Sequence, residues 1–374
     1  MRVGNTVRMW RLARLAVLVC SPVALTLSVA LAHADQSQVV NAKLETRSVS
    51  QDLAGTVQQI AAASSQRLWI VYEVPAVAAA EICCGNGWHG DNTNDMCGVC
   101  NLEQQQNNHH VESGHKTVQF EAAPEVAILL RVEQKHVMRI RMASSNCTLD
   151  GGGLRAVWLD GVKPADSVAL LTGYVDGKSN DEHHGGDLTE PALAAIAQHT
   201  DAAADRVLAS FVAPDQPSYL REKASFWLGA ARGKSGLAVL EKMAKSDPSA
   251  DVRAKVSFAL FVSHEPGAVD DMIRMAKDDA DAHVRGQALF WLAQKAGKKA
   301  SSAITGAIQS DPDTEVKKKA VFALSQMPKD EGIPKLIEVA QNNKNPEVRK
   351  QAMFWLGQSD DPRAVTFFEK ILSQ

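Results

Sequence analysis

Hydrophobic positions recur with a fixed period in the C-terminal half of the chain. A nine-residue segment of helical pattern returns at intervals of 32 residues, beginning at Leu220, Val252, Val284, Val316 and Val348. In the second copy, Val252, Val256 and Leu260 fall at i, i+4 and i+8, which places them on one face of a helix. A fixed period of this size is typical of a stacked helical array.

A second apolar register follows each copy, so the repeating unit is predicted to be a pair of helices. Leu240 and Ala244 show this register, and equivalent residues follow in every later copy. The pattern extends back to Leu188, which predicts six helical hairpins over residues 188–374. A buried large side chain contributes roughly 1.5–3 kcal/mol, while ordering each residue costs about 1.5 kcal/mol. One hairpin alone cannot meet that cost, so we expect the hairpins to fold as one cooperative unit.

Aromatic residues occupy two adjacent positions of the repeat. One position is always phenylalanine, in Phe226, Phe258, Phe290, Phe322 and Phe354. The next alternates between tryptophan and alanine, in Trp227, Ala259, Trp291, Ala323 and Trp355. The tryptophans are interpreted either as a row that stacks on a ligand or as large residues alternating with small ones to fill the space between helices. The second interpretation is favoured because they share a helix face with Val252 and its equivalents.

A polar pair keeps the same period, with an acidic or amide residue six positions before a basic one. The pairs are Asp215 and Arg221, Asp247 and Arg253, Asp279 and Arg285, Asp311 and Lys317, and Asn343 and Arg349. In these residues the chain resembles the HEAT repeat family, including the bacterial HEAT-like repeats first named from phycobilin lyases. The resemblance covers about half of the chain. It implies an α-solenoid in which the five pairs hydrogen-bond between adjacent repeats as a ladder. Thr189 replaces the cation of the first unit and Asn343 replaces an acid, so we expect a weaker ladder at both ends.

The N-terminal half follows a different pattern, with short runs that are typical of β-strands. The predicted strands are residues 68–74, 117–122, 126–133, 136–142 and 156–159. The break at Gln134 and Lys135 predicts a hairpin. We interpret residues 35–165 as a β-rich, disulfide-containing module and residues 166–187 as a helix, with Asp166 as N-cap, followed by a polar linker. The helix is expected to shield the first hairpin, and the predicted fold class is α+β and multidomain.

The first 34 residues have the order of a secretory signal, with four arginines, an uncharged apolar run and then Ala32-His33-Ala34. We predict cleavage before Asp35 and export to the periplasm or cell envelope. An uncleaved membrane anchor is the alternative.

The charge of the chain argues against one class of partner. Cleavage of the signal would remove four arginines and change the formal net charge from -3 to -7. The repeats contain 25 basic and 24 acidic residues and lack a basic stripe, which argues against nucleic acid as a partner.

All five cysteines beyond the signal lie in the N-terminal half, namely Cys83, Cys84, Cys97, Cys100 and Cys147. Export favours disulfides, each contributing about 2–4 kcal/mol. An odd count leaves one cysteine for another role. Zinc is the alternative, because Cys97 and Cys100 have the spacing of a zinc knuckle. Further metal ligands would come from His89, His109, His110 and His115.

Two further polar segments are given structural interpretations. Gly151 to Gly153 are interpreted as a turn and not as a phosphate-binding loop, because no helix pattern begins directly after them. His183 and His184, flanked by Asp181, Glu182 and Asp187, are interpreted as a solvated linker and not as a metal site.

The leading functional interpretation is an exported, non-enzymatic scaffold or adaptor that binds a protein partner, without catalytic residues or a cofactor. In HEAT arrays the second helices line the concave side, so the resemblance implies contact through their exposed residues. These candidates are Asp270, Asp271, Arg274, Lys335, Glu338 and Glu369. Phe367, Phe368, Ile371 and Leu372 predict association of two copies through the C-terminal hairpin. One alternative is an envelope metal or redox sensor with the solenoid as transmitter. A HEAT-like lyase, suggested only by the family's name, is the other.

Overall fold

A computed structural model describes residues 37–49, 52–77, 99–103, 125–145, 147–176, 187–295 and 298–373. Within these ranges the chain forms an N-terminal region built on β-sheets and a C-terminal region of helical repeats, as the sequence predicted. The predicted signal, the strand at 117–122 and most of the linker lie outside the described residues. So do Cys83, Cys84, Cys97 and the histidines proposed as metal ligands.

The N-terminal region contains eight described strands and two helices. They are β1 (Gln38–Val40), β2 (Lys43–Ser48), α1 (Leu53–Ala63), β3 (Leu68–Pro75), β4 (Val99–Asn101), β5 (Glu125–Glu133), β6 (His136–Ser144), β7 (Thr148–Asp150), β8 (Arg155–Asp160) and α2 (Pro164–Thr172). The main sheet has the order β2-β8-β3-β5-β6, with β8 parallel to both of its neighbours and the other pairs antiparallel. A small parallel sheet has the order β1-β7-β4.

The hairpin predicted at Gln134 and Lys135 is confirmed. Both residues adopt positive φ, at 50° and 68°, and join β5 to β6. Two such residues give a two-residue turn the twist that antiparallel strands need. Strands β3, β5, β6 and β8 agree with their predicted ranges within two residues.

Alternating residues of the central strand β3 enter two different cores. Ile70 and Tyr72 lie in a large core that continues into the helical repeats. Trp69 and Val71 lie in a second core, on the face of the main sheet that also buries Trp158. Because both faces of this strand are buried, its sequence is a continuous apolar run and not an alternating one.

Twelve described helices follow, in six pairs. They are α3 (Thr189–Gln198), α4 (Ala202–Phe211), α5 (Ser218–Ala231), α6 (Gly233–Ser246), α7 (Ala250–Val262), α8 (Gly267–Asp278), α9 (Ala282–Lys295), α10 (Lys298–Ser310), α11 (Thr314–Ser325), α12 (Lys329–Asn342), α13 (Pro346–Gly357) and α14 (Pro362–Leu372). We call the odd-numbered members first helices and the even-numbered members second helices. Ser249, Asp313 and Asn345 cap three first helices by accepting backbone N–H bonds.

Helix α2 packs against α3 and α4 at the open side of the first hairpin. The predicted N-cap is wrong, because the helix begins at Pro164 with Lys163 at the capping position. Asp166 instead lies in the first turn, where an acidic residue also favours the helix dipole. No helix within the described ranges combines the length and apolar character that a membrane span requires.

Candidate interaction surface of the helical repeats

Three arginines near the starts of first helices form a ladder of buried, bidentate ion pairs with aspartates. In each, Nε and Nη2 donate to the two carboxylate oxygens of an aspartate 26 residues later. The pairs are Arg221 with Asp247 (2.9 and 3.1 Å), Arg253 with Asp279 (2.8 and 3.0 Å) and Arg285 with Asp311 (2.8 and 3.0 Å). Such fork-to-carboxylate geometry is specific as well as strong.

Among the described residues, the hydrogen bonds predicted between residues six positions apart form in three of the five pairs, through the backbone carbonyl and not the carboxylate. Nη1 of Arg253, for example, donates to the backbone carbonyl of Asp247 at 2.8 Å. The carboxylate of Asp247 is already engaged, because it accepts bonds from the Ser249 amide and from Arg221 of the preceding repeat. Each arginine thus links two successive inter-repeat loops.

The ladder ends where the sequence departs from the pattern. Asp215 is exposed, and Thr189, which stands 26 residues before it, bonds to Asp176 and Asp187 instead. At the other end, no side-chain bond joins Lys317 to Asn343 among the described residues, although Arg349 still donates to the Asn343 carbonyl at 2.8 Å. The carboxylate pairs therefore span only the three central links.

The carboxylate of Asp279, in the central pair of the ladder, is held in its ionised form. Burial alone would raise the pKa of Asp279, but hydrogen bonds from Arg253 and the Asp281 amide, with the charge of Arg253, lower it overall. The hydrogen bond to Asp279 raises the pKa of Arg253, and Asp311 does the same for Arg285. Groups held this firmly in their charged forms suit a structural role better than proton transfer.

The aromatic positions form a layer along the first helices in which rings pack on rings. Phe226 stacks on Phe258 with centroids 5.8 Å apart, and the equivalent Phe290 and Phe322 are 6.0 Å apart. Trp291 packs against Phe258 at 4.6 Å. Because neighbouring rings contact these ring faces, the geometry favours the interpretation of packing over that of a row for ligand stacking.

Clefts separate three successive second helices, α6, α8 and α10, whereas neighbouring first helices pack closely on one another. A Cβ atom added to Gly229 of α5 would clash with the backbone carbonyl of Ala259 on α7. A Cβ atom added to Gly306 of α10 would have no neighbour within 4 Å. Helices α5 and α7 are thus in direct backbone contact, while α10 borders open space.

Two adjacent clefts share Asp278 on their rims. The cleft between α6 and α8 has a volume of about 390 Å³ and is lined by Ala244, Lys245, Arg253, Asp271, Arg274, Met275, Asp278, Asp279 and Ala280. The cleft between α8 and α10 has a volume of about 380 Å³ and is lined by Ile273, Ala276, Lys277, Asp278, Ser302, Ala303, Gly306, Ala307, Ser310, Asp311 and Pro312. Both have small or apolar side chains inside and charged groups around them.

The residues predicted to contact a partner differ in exposure. Asp270, Arg274, Glu338 and Glu369 are exposed and Lys335 is half-buried. The prediction for Asp271 is wrong, because this residue is only 4% exposed and is paired with Arg274 in the wall of the first cleft. Its helical register turns it inward, whereas its neighbour Asp270 points outward to Lys299 at 2.9 Å.

The interior of the second cleft was not predicted from the sequence. Ala303, Gly306 and Ala307 create the space because their side chains are small or absent. The signal was a run of small residues on α10 where other second helices carry larger ones, such as Met275. At the C-terminal hairpin, Leu372 is 86% exposed, Ile371 is also exposed and Phe367 is buried.

The described cysteines lie in the second core of the N-terminal region. Cys100 on β4 and Cys147 before β7 are both buried. Burial raises the pKa of the Cys147 thiol to about 11, so this thiol is protonated at neutral pH and is a poor nucleophile. Within the described ranges, no group of three or more His, Cys, Asp or Glu residues is arranged to hold a metal ion. His183 and His184 lie outside those ranges.

Gly151 to Gly153 form the connection between β7 and β8. Gly152 and Gly153 adopt positive φ, at 63° and 77°, and a strand follows instead of a helix. The interpretation as a turn is therefore confirmed, and the helix N-terminus that a phosphate loop requires is not present at this position.

Residues 301–374 match the sequence model of the HEAT repeats family. A search of curated proteins gives no match. Among solved structures, human deoxyhypusine hydroxylase in complex with glycerol is similar at 14% identity, over 55% of this chain and 90% of that chain, with a TM-score of 0.26. Similarity at this level supports no inference about activity.

Proposed function

We propose that this protein, which is a HEAT-like repeat protein, is a non-enzymatic scaffold that binds a protein partner in the clefts between α6, α8 and α10. HEAT repeats generally serve as helical scaffolds for protein binding, and a repeat array presents extended surfaces suited to that role. The observation that carries the proposal is the pair of adjacent clefts on the second helices.

The clefts have the chemistry of sites for partner side chains. Met275 and Ala303 offer apolar surface inside them, and pockets of this kind accept the few anchoring side chains that supply most of the binding energy at an interface. Because the clefts lie on either side of α8, one partner segment that crosses this helix can place an anchor in each. We therefore expect a partner with two apolar side chains, separated by about the distance between the two neighbouring clefts.

Charged groups around the clefts are proposed to orient the bound partner. Glu241 accepts from Lys245 at 2.8 Å and from Arg274 at 3.4 Å, and Arg274 also contacts Asp271. These groups already balance one another, so a partner gains little net charge attraction from them. Mixed charges at a rim contribute more to specificity and association rate than to affinity.

The proposal also includes export and the domain organisation inferred from the sequence. It comprises a cleaved signal over residues 1–34, a β-rich module over 35–165, a helix and linker over 166–187 and the solenoid over 188–374.

We further propose disulfides among the five cysteines of the module. The intact mass of protein purified from the cell envelope tests both proposals, since it falls by two hydrogens for each disulfide and by the mass of residues 1–34 on cleavage. Alkylatable cysteines together with bound zinc would favour the sensor instead.

Photo-crosslinking in cells of the source organism tests the binding surface. A benzoylphenylalanine is placed at Ala303, inside the second cleft, and in a separate variant at Lys255, an exposed residue of the first helix α7. The proposal predicts a discrete crosslinked protein from position 303 and none from position 255. A crosslink from position 255 with none from position 303 would contradict it.

A further inference from the structure

The sheet region and the first helical hairpin are joined at the end of β3. Ala76 forms an isolated β-bridge with His199, the residue that ends α3. The Val77 amide donates to the Gln198 carbonyl at 2.8 Å, and the Thr200 amide donates to the Pro75 carbonyl at 3.1 Å. These backbone bonds tie the sheet directly to the repeats.

A chain of buried side chains lies beneath this joint. The Nδ1 atom of His199 is 2.8 Å from the Ala195 carbonyl oxygen, and its Nε2 atom is 2.9 Å from the Ser167 hydroxyl of α2. The Ser167 hydroxyl is in turn 2.9 Å from the Tyr72 hydroxyl of β3. His199, Ser167 and Tyr72 are all fully buried, so the chain connects three elements without contact with solvent.

Only one order of hydrogens satisfies every member of this chain. A carbonyl oxygen can only accept, so Nδ1 of His199 carries the ring hydrogen and Nε2 accepts from Ser167. Ser167 then accepts from Tyr72, and each hydrogen has an acceptor. A second ring proton reverses the order, because Nε2 would donate to Ser167 and Ser167 to Tyr72. The hydroxyl hydrogen of Tyr72 would then have no acceptor in the chain, which is costly for a buried group.

The charged groups around His199 also disfavour a cationic ring. Arg232 donates to the backbone carbonyls of Ala197, at 3.1 Å, and of His199, and it pairs with Asp205 at 2.8 Å. Burial is the main cause that lowers the pKa of His199. The charge of Arg232 adds to this effect, and the two outweigh the Ala195 carbonyl and the charge of Asp201, which act in the opposite direction.

Tyr174 is a further titratable neighbour of these hydrogen-bonded side chains, and its charge adds to the effect of burial in raising the pKa of Tyr72. Burial raises the pKa of both tyrosines. Both phenols are therefore neutral across the pH range in which a histidine titrates, and neither supplies a negative charge that would stabilise an imidazolium.

We propose that His199 is an acid-sensitive latch, which holds the sheet region on the first hairpin while its ring is neutral and releases it when the ring takes up a proton. The free ring in the opened junction titrates near pH 6.5. The latched ring takes up a proton only at lower pH, so the latch is complete above about pH 6.5 and weakens as the pH falls toward the lowered value. This regulation goes beyond the binding surface proposed above and does not depend on it.

Hydrogen exchange of the full chain, read by mass spectrometry at pH 7.5, 6.5 and 5.5, tests the latch. After correction for the intrinsic exchange rate, the opening constant of the Val77 and Thr200 amides is expected to rise by up to about tenfold per pH unit below about 6.5. Amides in the middle of α9 should show no such rise. An equal rise in α9 would indicate global acid unfolding, and no rise at the junction would mean that His199 does not titrate there. Either result would overturn the proposal.

Two histidine variants separate the latch from general acid effects. His199→Gln cannot titrate and should lose the pH dependence at the junction, whereas His283→Gln, on the exposed side of α9, should keep it. If His199→Gln does not fold, ¹⁵N NMR of the natural protein gives the answer. The latch predicts hydrogen on Nδ1 and not on Nε2 at neutral pH, with titration below the ordinary histidine pKa. Hydrogen on Nε2, or titration at the ordinary value, would refute it.

Discussion

The sheet region and the helical repeats achieve stability in different ways. In the sheet, β3 pairs with strands far away in the sequence, so that Leu68 lies opposite both Val132 and Arg155. In the repeats, each hairpin packs mainly on the hairpins next to it in the sequence, and the ladder joins residues 26 positions apart. In the sheet region, one central strand serves two cores. In the helical repeats, stability is distributed over many similar contacts between neighbouring hairpins.

The largest expected effect is the loss of a core side chain from β3, because this one strand serves both cores. Trp69 is fully buried, and its indole N–H donates to Glu103 at 2.8 Å. We expect Trp69→Ala to lower the free energy of unfolding by about 3–5 kcal/mol, measured by urea denaturation. Trp291→Ala, in the half-buried aromatic layer of the repeats, is the matched control and should cost clearly less. Equal losses would remove the distinction between the two regions.

Breaking one central link of the ladder is expected to have the next largest effect. Arg253→Met leaves the Asp279 carboxylate buried without its partner, which costs about 3 kcal/mol. Lys317→Met removes the equivalent cation where no link forms, and it should change stability by no more than about 0.5 kcal/mol. Thermal and urea denaturation of both variants test the difference. A comparable loss from Lys317→Met would show that the cation matters apart from the carboxylate pair.

The pH dependence of the same variant sharpens this test. The pKa of Asp279 is lowered in the folded protein, so its stabilising effect is complete above about pH 3.9 and is lost as the pH falls through the lowered value. The difference in stability between the natural protein and Arg253→Met should therefore shrink in acid, by at most about 1.4 kcal/mol per pH unit. Urea denaturation at pH 7, 4 and 2.5 measures it. A difference that stays constant would show that the charge of Asp279 is not its source.

A smaller effect is expected from extending the ladder by one link. Lys317→Arg combined with Asn343→Asp restores the residue types of the central links at the C-terminal end. We expect a gain of about 1 kcal/mol or less, since these positions are only half-buried. The two single variants are the controls, and the gain should exceed the sum of their effects. Additive effects would mean that the new link does not form.

The predictive power of the sequence followed the same division between the two regions. Repetition identified the helices of the solenoid, because each unit confirms the register of the next. Apolar runs identified β3, β5, β6 and β8. The three-residue strands β1, β4 and β7 were missed because their pairing is non-local, as between Gln38 and Thr148, and leaves no local pattern. Helix α1 was also missed, although Asp52 provides a capping signal by accepting from the Gly55 amide.

The candidate site was only partly predictable. The ladder residues were found from their period, but the carboxylate pairs across 26 residues were not predicted, because spacing does not show which neighbouring loops an arginine faces. Asp270 and Asp271 were both taken as exposed, although adjacent residues of a helix point in different directions and only Asp270 faces outward. The clefts arise from small residues such as Gly306. Small residues are harder to recognise as part of a site in a sequence than charged residues are.

The most direct measurement compares two glycine variants for stability and for retention of the crosslinked partner. Gly306→Leu fills the cleft between α8 and α10, whereas Gly357→Leu adds the same side chain at the end of α13, where a Cβ atom also meets nothing within 4 Å. Leucine favours a helix over glycine by up to about 1 kcal/mol, so neither variant should melt at a lower temperature. We predict that Gly306→Leu loses the partner while Gly357→Leu retains it. Retention of the partner by a folded Gly306→Leu protein would contradict binding in the clefts.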